Sequence, residues 1–535
     1  MLWPRPPSGE EGDFNLPHAS ARVARVSVPV SFSPHDGRRF ILELDRRLER
    51  LDRAILAADW DLYSGRSVRG AAEWQLRRSS LLSDERILGW VRPALSRSWP
   101  EDLRRRLELL ERILVDTRVE QHREVVRRRA ELTRRVVEFR PTWEGRRVNR
   151  AKVSHALAND PNPARRRRAY YALEPLYRAL EDPVQELIQV RNERARAAGH
   201  RSFAEMRLGF EGFTSQRLDE LATAAAQAAS PSARQLRERA AAIAGVSGWH
   251  PWDFSYALNR LAPLADRWFP RSSMMPTILR AVDRWGFRTA QMRFRVVFHD
   301  LPAGGLTLAP DPPRDVRILV HPRGGWRCYL ILFHEVGHAV HSSLIRAPPH
   351  LLRWHENIPG FGGLHEGIAG FFEEIPRDPG WLAAQAHLDL PLAESISRMR
   401  WTQEVLLTAW NVAWSRTEQL LYRRPDHDPM GEVHRLERRL FAFDEYEPLS
   451  FVDSFWIDTP VYAQNYLFAS LFSAQLARFV RERFGGPLWP NSKVGPWLRR
   501  EWMAPGSRFD WVPRVREVTG DSFGAAAFAA AARSE

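Results

Sequence analysis

Along most of the chain, apolar residues return every three or four positions. Ile41, Leu44, Leu48, Leu51 and Ile55 do so, and Leu103, Leu107, Leu110 and Leu114 repeat the pattern. That period puts each set on one face of an α-helix. Similar helical segments run through "DPVQELIQVRNERARAAGH" and "SQRLDELATAAAQAA". The texture changes near residue 300, where "GGLTLAP" and "RDVRILVHP" are short β-like runs among Gly, Pro and Asp. A helix over "CYLILFHEVGHAV" follows and is stopped by Pro348–Pro349, and "GGLHEGIAGFFEEI" predicts another that ends before Pro376. The remainder reads as helical to about Phe528. Residues 1 to about 37 hold six prolines and no sustained apolar period, which predicts a loose extension with one short strand at "ARVARVSVPVSF". The expected fold is mostly α with a small β-sheet beside the HEVGH helix. Its expected divisions are an extension over 1–39, a helical region over 40–300, and a region over 301–535 that carries the candidate chemistry.

Composition narrows the class. A chain of 535 residues, 44% hydrophobic and 27% charged, can bury a large core. The single cysteine, Cys328, allows no intramolecular disulfide, which fits a reducing compartment, and the N-terminus lacks the pattern of a secretory signal. No run of eighteen apolar residues predicts a membrane span. The expectation is a cytoplasmic protein with no membrane partner. The net charge of +14 raises nucleic acid as a partner. However, all basic residues except Lys152 and Lys493 are arginine, and many alternate with acids on helices, as in "EDLRRRLELLERILVDTRVEQHREVVRRRAELTRR". That pattern predicts solvated helix faces and no nucleic-acid partner.

The candidate chemistry lies in "FHEVGHAVH", Phe333 to His341. On a helix, His334 and His338 project from one face, one turn apart, and two neutral imidazoles at that spacing can reach one Zn²⁺. Glu335 lies about 100° round the helix from His334, suited to taking a proton from water activated by the metal rather than to binding the metal itself. An amphipathic helix with surface histidines is the plainer reading. The apolar "YLILF" before the motif argues for burial instead, and buried polar groups need partners. A third ligand is required. His341 and Leu344 break one known extension of the motif, and Ile358 breaks another. The remaining candidates are His355, Glu356, His365, Glu366, Glu373 and Glu374. Glu366 is preferred, because it lies in a helical stretch after a Gly-rich turn, and Gly367, Ala369 and Gly370 allow close packing. His365 competes as a ligand. Glu373 shares the face of Glu366 and can hydrogen-bond a ligand histidine from behind.

Assembled, these residues resemble the helical zinc peptidases that include thimet oligopeptidase, oligoendopeptidase F and angiotensin-converting enzyme. "HEVGHAVH" is similar to their motif helix, and "APPHLLRWHENIPGFGGLHEGIAG" to the stretch that brings in their third ligand, here Glu366. "VYAQNYLFASLFSAQLARF" resembles their C-terminal tyrosine helix. The resemblance spans roughly 180–525. It implies an elongated helical body with a deep central channel, one zinc per chain, and peptide substrates. It also implies that Tyr466 stabilises the oxyanion, with Tyr462 as a stand-in or substrate contact. His341, a turn past His338, is expected to orient substrate or a neighbour rather than bind zinc, and His365, when not a ligand, to contact substrate or support the ligands from behind. The sequence departs from the family at Ser454 and Trp456, where a supporting histidine is usual, and no lysine lies between Lys152 and Lys493 to hold a C-terminal carboxylate. The expected activity is hydrolysis of internal bonds in short peptides. The alternatives are a carboxydipeptidase of the converting-enzyme type and a catalytically weakened peptide-binding protein on the same fold.

Overall fold

The computed structural model describes residues 26–67, 70–246, 248–262, 264–299, 304–353 and 355–533. Most of them are helical. Helix α1 spans Pro34–Tyr63, starting inside the expected extension. The reason is local: the Ser33 side chain accepts from the Asp36 amide, and Pro34 at the first helical position needs no amide partner. Residues 26–33 are irregular, so the predicted strand is not formed there, and the rest of that stretch lies outside the described residues.

Three strands make the sheet: β1 (Phe294–Phe298), β2 (Gly305–Asp311) and β3 (Asp315–Val320). Their order is β1-β3-β2, with β3 parallel to β1 and antiparallel to β2. Period-two alternation gives the sheet two faces. Leu319 of β3 and Leu306 and Leu308 of β2 pack on Trp60 of α1. Val316, Ile318 and Val320, with Ala309, enter the main core. Gly305 and Thr307 share the face of Ala309, turned towards the next helix.

That helix, α2 (Trp326–Leu344), is buried at every position from Leu332 to Leu344. A helix apolar nearly all round belongs inside a core, and here histidines and a glutamate are carried in with it. It ends at Leu344, ahead of the two prolines. Helix α3 (Gly362–Phe372) crosses it at Gly337, where a Cβ would stand 2.8 Å from the Ala369 Cα. The other side of α3 packs on α5 (Ala463–Phe484), and α4 (Leu390–Arg423) lies against α5 in turn. Buried Glu211 fixes the start of α3, accepting from the Gly362 amide at 2.8 Å and from Trp511 Nε1 at 2.9 Å. A carboxylate there complements the positive end of the helix. The segment between α2 and α3 is anchored by α1, whose buried Asp45 accepts from the amides of His350 and Leu351. One continuous apolar core runs from Val26 to Ala532, across residue 300. On the surface many arginines pair with acids one turn away, as in Arg104–Glu108 and Arg134–Glu138. No helix among the described residues is long and apolar enough to cross a membrane.

Candidate metal and catalytic centre

Helices α2 and α3 bring His334, His338 and Glu366 together. His334 Nε2 and His338 Nε2 are 3.0 Å apart, and Glu366 Oε2 lies 3.3 Å from the first and 3.8 Å from the second. Three donor atoms at bond lengths of about 2.0–2.2 Å from a tetrahedral zinc would stand roughly 3.4 Å apart, so the set fits one ion with little adjustment. All three residues are buried. Two imidazoles with a carboxylate suit zinc better than magnesium, which prefers an all-oxygen shell.

The carboxylates around His334 form a chain. Its Nδ1 lies 2.8 Å from Glu373 Oε1, Arg377 donates to Glu373 at 2.5 Å and to Glu404 at 2.9 Å, and Ser470 donates to Glu404 at 3.0 Å. Burial works to lower the His334 pKa, but Glu366 and Glu373 outweigh it and hold it well above its ordinary value. His338 goes the other way, depressed by burial and then by the surrounding histidines. Desolvation works to raise Glu373, yet Arg377 and His334 keep it below the usual carboxylate range.

Glu335 leaves α2 towards β2. Its Oε2 accepts from Thr307 Oγ1 at 2.6 Å, and the same hydroxyl lies 3.1 Å from its backbone oxygen. Gly305 makes the approach possible, because a Cβ there would stand 2.6 Å from Glu335 Cγ. Burial pushes the Glu335 carboxyl up to about 7, against the pull of His334 and Thr307. The carboxyl is thus poised to exchange a proton near neutrality.

The start of α5 completes the centre. Tyr462 donates to Glu366 Oε1 at 2.8 Å, so it is engaged with a candidate ligand. Tyr466, one turn on, lies parallel to Trp414 with ring centroids 6.4 Å apart. Burial, then the charges of Glu366 and Glu335, raise its pKa, so it stays a neutral hydrogen-bond donor. Ser454 and Trp456, which stand where the resembling peptidases usually carry a histidine, are buried, and the Trp456 carbonyl accepts from Arg191 at 2.9 Å. His365 turns away from Glu366, stacking on His338 with ring centroids 3.9 Å apart, while the His341 ring lies tilted against His355 at 4.1 Å. Burial lowers the pKa values of His341, His355 and His365, that of His355 to about 4. Four groups of the centre escaped sequence reasoning. Thr307, Arg377, Glu404 and Ser470 act through tertiary contacts, and only the i,i+4 spacing of Glu373 and Arg377 offered a signal.

No protein-family model and no curated protein matches the sequence. Among solved structures, the metallocarboxypeptidase 1 of Trypanosoma cruzi is similar over 93% of this chain and 98% of its own, with TM-score 0.67 and 16% identity. A Pyrococcus furiosus carboxypeptidase matches over 95% and 99%, with TM-score 0.65 and 17% identity. A structure assigned as oligoendopeptidase F matches over 94% and 92%, with TM-score 0.65 and 15% identity. The chain therefore shares the helical fold of these peptidases along nearly its whole length.

Proposed function

We propose that the chain is a zinc-dependent metallopeptidase that hydrolyses internal bonds of short, unstructured peptides. The observation that carries this reading is the convergence of His334, His338 and Glu366 at 3.0–3.8 Å, with the Glu335 carboxyl beside them. His334, His338 and Glu366 would hold the ion. When bound, zinc supplies Lewis-acid polarisation of the scissile carbonyl and lowers the pKa of water to about 7. Glu335 takes the proton as the water oxygen bonds to the carbonyl carbon, then delivers it to the amine as the C–N bond breaks. Thr307 holds Glu335 in the rotamer that faces this event. Tyr466 donates to the carbonyl oxygen as negative charge develops there, a role in which a fixed neutral donor favours the transition state over the ground state. Strand β2 is at one edge of the sheet, and its main chain can pair with an extended peptide in a manner tolerant of sequence. A deep channel that admits unfolded chains, expected from the family resemblance, would restrict substrates to short peptides.

A carboxypeptidase is the second reading, favoured by the two carboxypeptidases whose folds match over 98% and 99% of their own lengths. Mass-spectrometric mapping of products from unstructured peptides of roughly 6 to 20 residues, close to what a groove can bind extended, separates the two. Internal cuts in peptides whose C-termini are amidated support the proposal. Stepwise release from free C-termini alone would transfer the chain to the second reading.

A further inference from the structure

Behind the candidate catalytic centre, three further histidines meet from three separate elements. His341 is on α2, His365 is on α3, and His355 is in the short 3₁₀ turn His355–Asn357 between them. One nitrogen from each ring can be chosen so that all three lie within 4.8 Å of one another, and all three residues are buried. Neither ring nitrogen of His341 has a hydrogen-bond partner, nor do His355 Nε2 and His365 Nδ1. Buried imidazole nitrogens are ordinarily satisfied, so three rings that each carry an unpartnered nitrogen and converge to within 4.8 Å call for a shared partner. Glu356 stands at the edge of the group, with Oε2 3.6 Å from His365 Nε2 and Oε1 without a partner.

We propose that His341, His355 and His365 form a second metal site for a divalent ion of the zinc class, distinct from the centre at His334, His338 and Glu366, with Glu356 beside His365 rather than among the ligands. Three imidazoles, with the fourth position left to water, are a donor set for Zn²⁺, Co²⁺, Ni²⁺ or Cu²⁺ rather than for Ca²⁺ or Mg²⁺. Drawing the three rings onto one ion requires the nitrogens to close up by at most about 1.4 Å, to the spacing of a tetrahedral shell. The ion would tie α2, the connecting segment and α3 together directly behind Glu366. Its role is to fix the position of the third ligand of the neighbouring centre.

The test counts metal. Protein stripped with a chelator is titrated with Zn²⁺, passed through metal-free buffer, and assayed for retained zinc. Wild type should retain two equivalents, and both His355→Phe and the double variant His334→Ala/Glu366→Gln should retain one. One equivalent in wild type and none in the double variant would overturn the second site. The double variant leaves the triad intact, so it decides the matter even where His355→Phe does not fold. Titrated with Co²⁺, it should develop a saturable visible band at one equivalent, and no band would again overturn the proposal. Loss of peptide hydrolysis with both zinc equivalents retained would count against the peptidase reading only.

Discussion

Helix α2 carries two buried donor groups whose surroundings are opposite in kind. His334 is ringed by carboxylates, with Glu366 at 3.3 Å, Glu373 at 2.8 Å, and Arg377 and Glu404 beyond them. Two turns later His341 faces other histidines, and its nitrogens have no partner. Leaving a buried polar atom unpaired costs about 1–3 kcal/mol, so the second group is poorly satisfied by protein alone. The first is wired. Carboxylates behind a ligand histidine fix its ring and raise its basicity, and this separates a centre organised for chemistry from one that only holds an ion.

The sharpest way to break this contrast is to remove one histidine from each group. His338→Ala should abolish peptide hydrolysis, while His341→Ala should leave the zinc of the centre bound. Equal loss of metal and activity in both variants would show that the two groups act as one. Next in size is Tyr466→Phe, expected to lower kcat roughly 10²-fold with KM little changed. Tyr462→Phe should cost less, because that hydroxyl is spent on Glu366. A larger effect at Tyr462 in steady-state kinetics would exchange their roles. Glu373→Gln should weaken zinc affinity roughly 10–100-fold, read by competition with a chelator, because it removes the carboxylate behind His334. Unchanged affinity would mean the wiring is incidental. Gly337→Ala should destabilise the fold by about 1–3 kcal/mol in denaturant titration, since its methyl meets the Ala369 backbone.

A subtler check is the pH profile. Glu335 must be ionised to accept a proton, and its carboxyl is pushed up to about 7. Activity should therefore fall on the acid side as pH drops through that region. A bound cation draws the limb below 7, because positive charge favours the carboxylate. Activity that keeps rising as pH drops below 6 would remove Glu335 from the role of base.

How much of this was legible depends on the range of each signal. The two α2 histidines and Glu335 are a local helical pattern, and Glu366 stood out through the small residues that let α3 approach α2. Thr307 could not be read, because it meets Glu335 only through the alternation of β2 and the close approach at Gly305. Arg377 and Glu404 meet across 27 residues of sequence. His355 was visible as a possible ligand, but its assembly with His341 and His365 depends on how Asp45 of α1 anchors the connecting segment. At the other end, the Ser33–Pro34 cap of α1 was in plain view. The density of prolines around it masked the signal.

The most direct test of the account compares peptide hydrolysis by zinc-loaded wild type and Glu335→Gln, with metal content measured in both. Gln keeps the size of the side chain and leaves the ligands untouched. The account predicts that the variant retains its zinc and loses activity by roughly 10²–10⁴-fold. Equal cleavage by both proteins, or no cleavage by a zinc-loaded wild type, would contradict it.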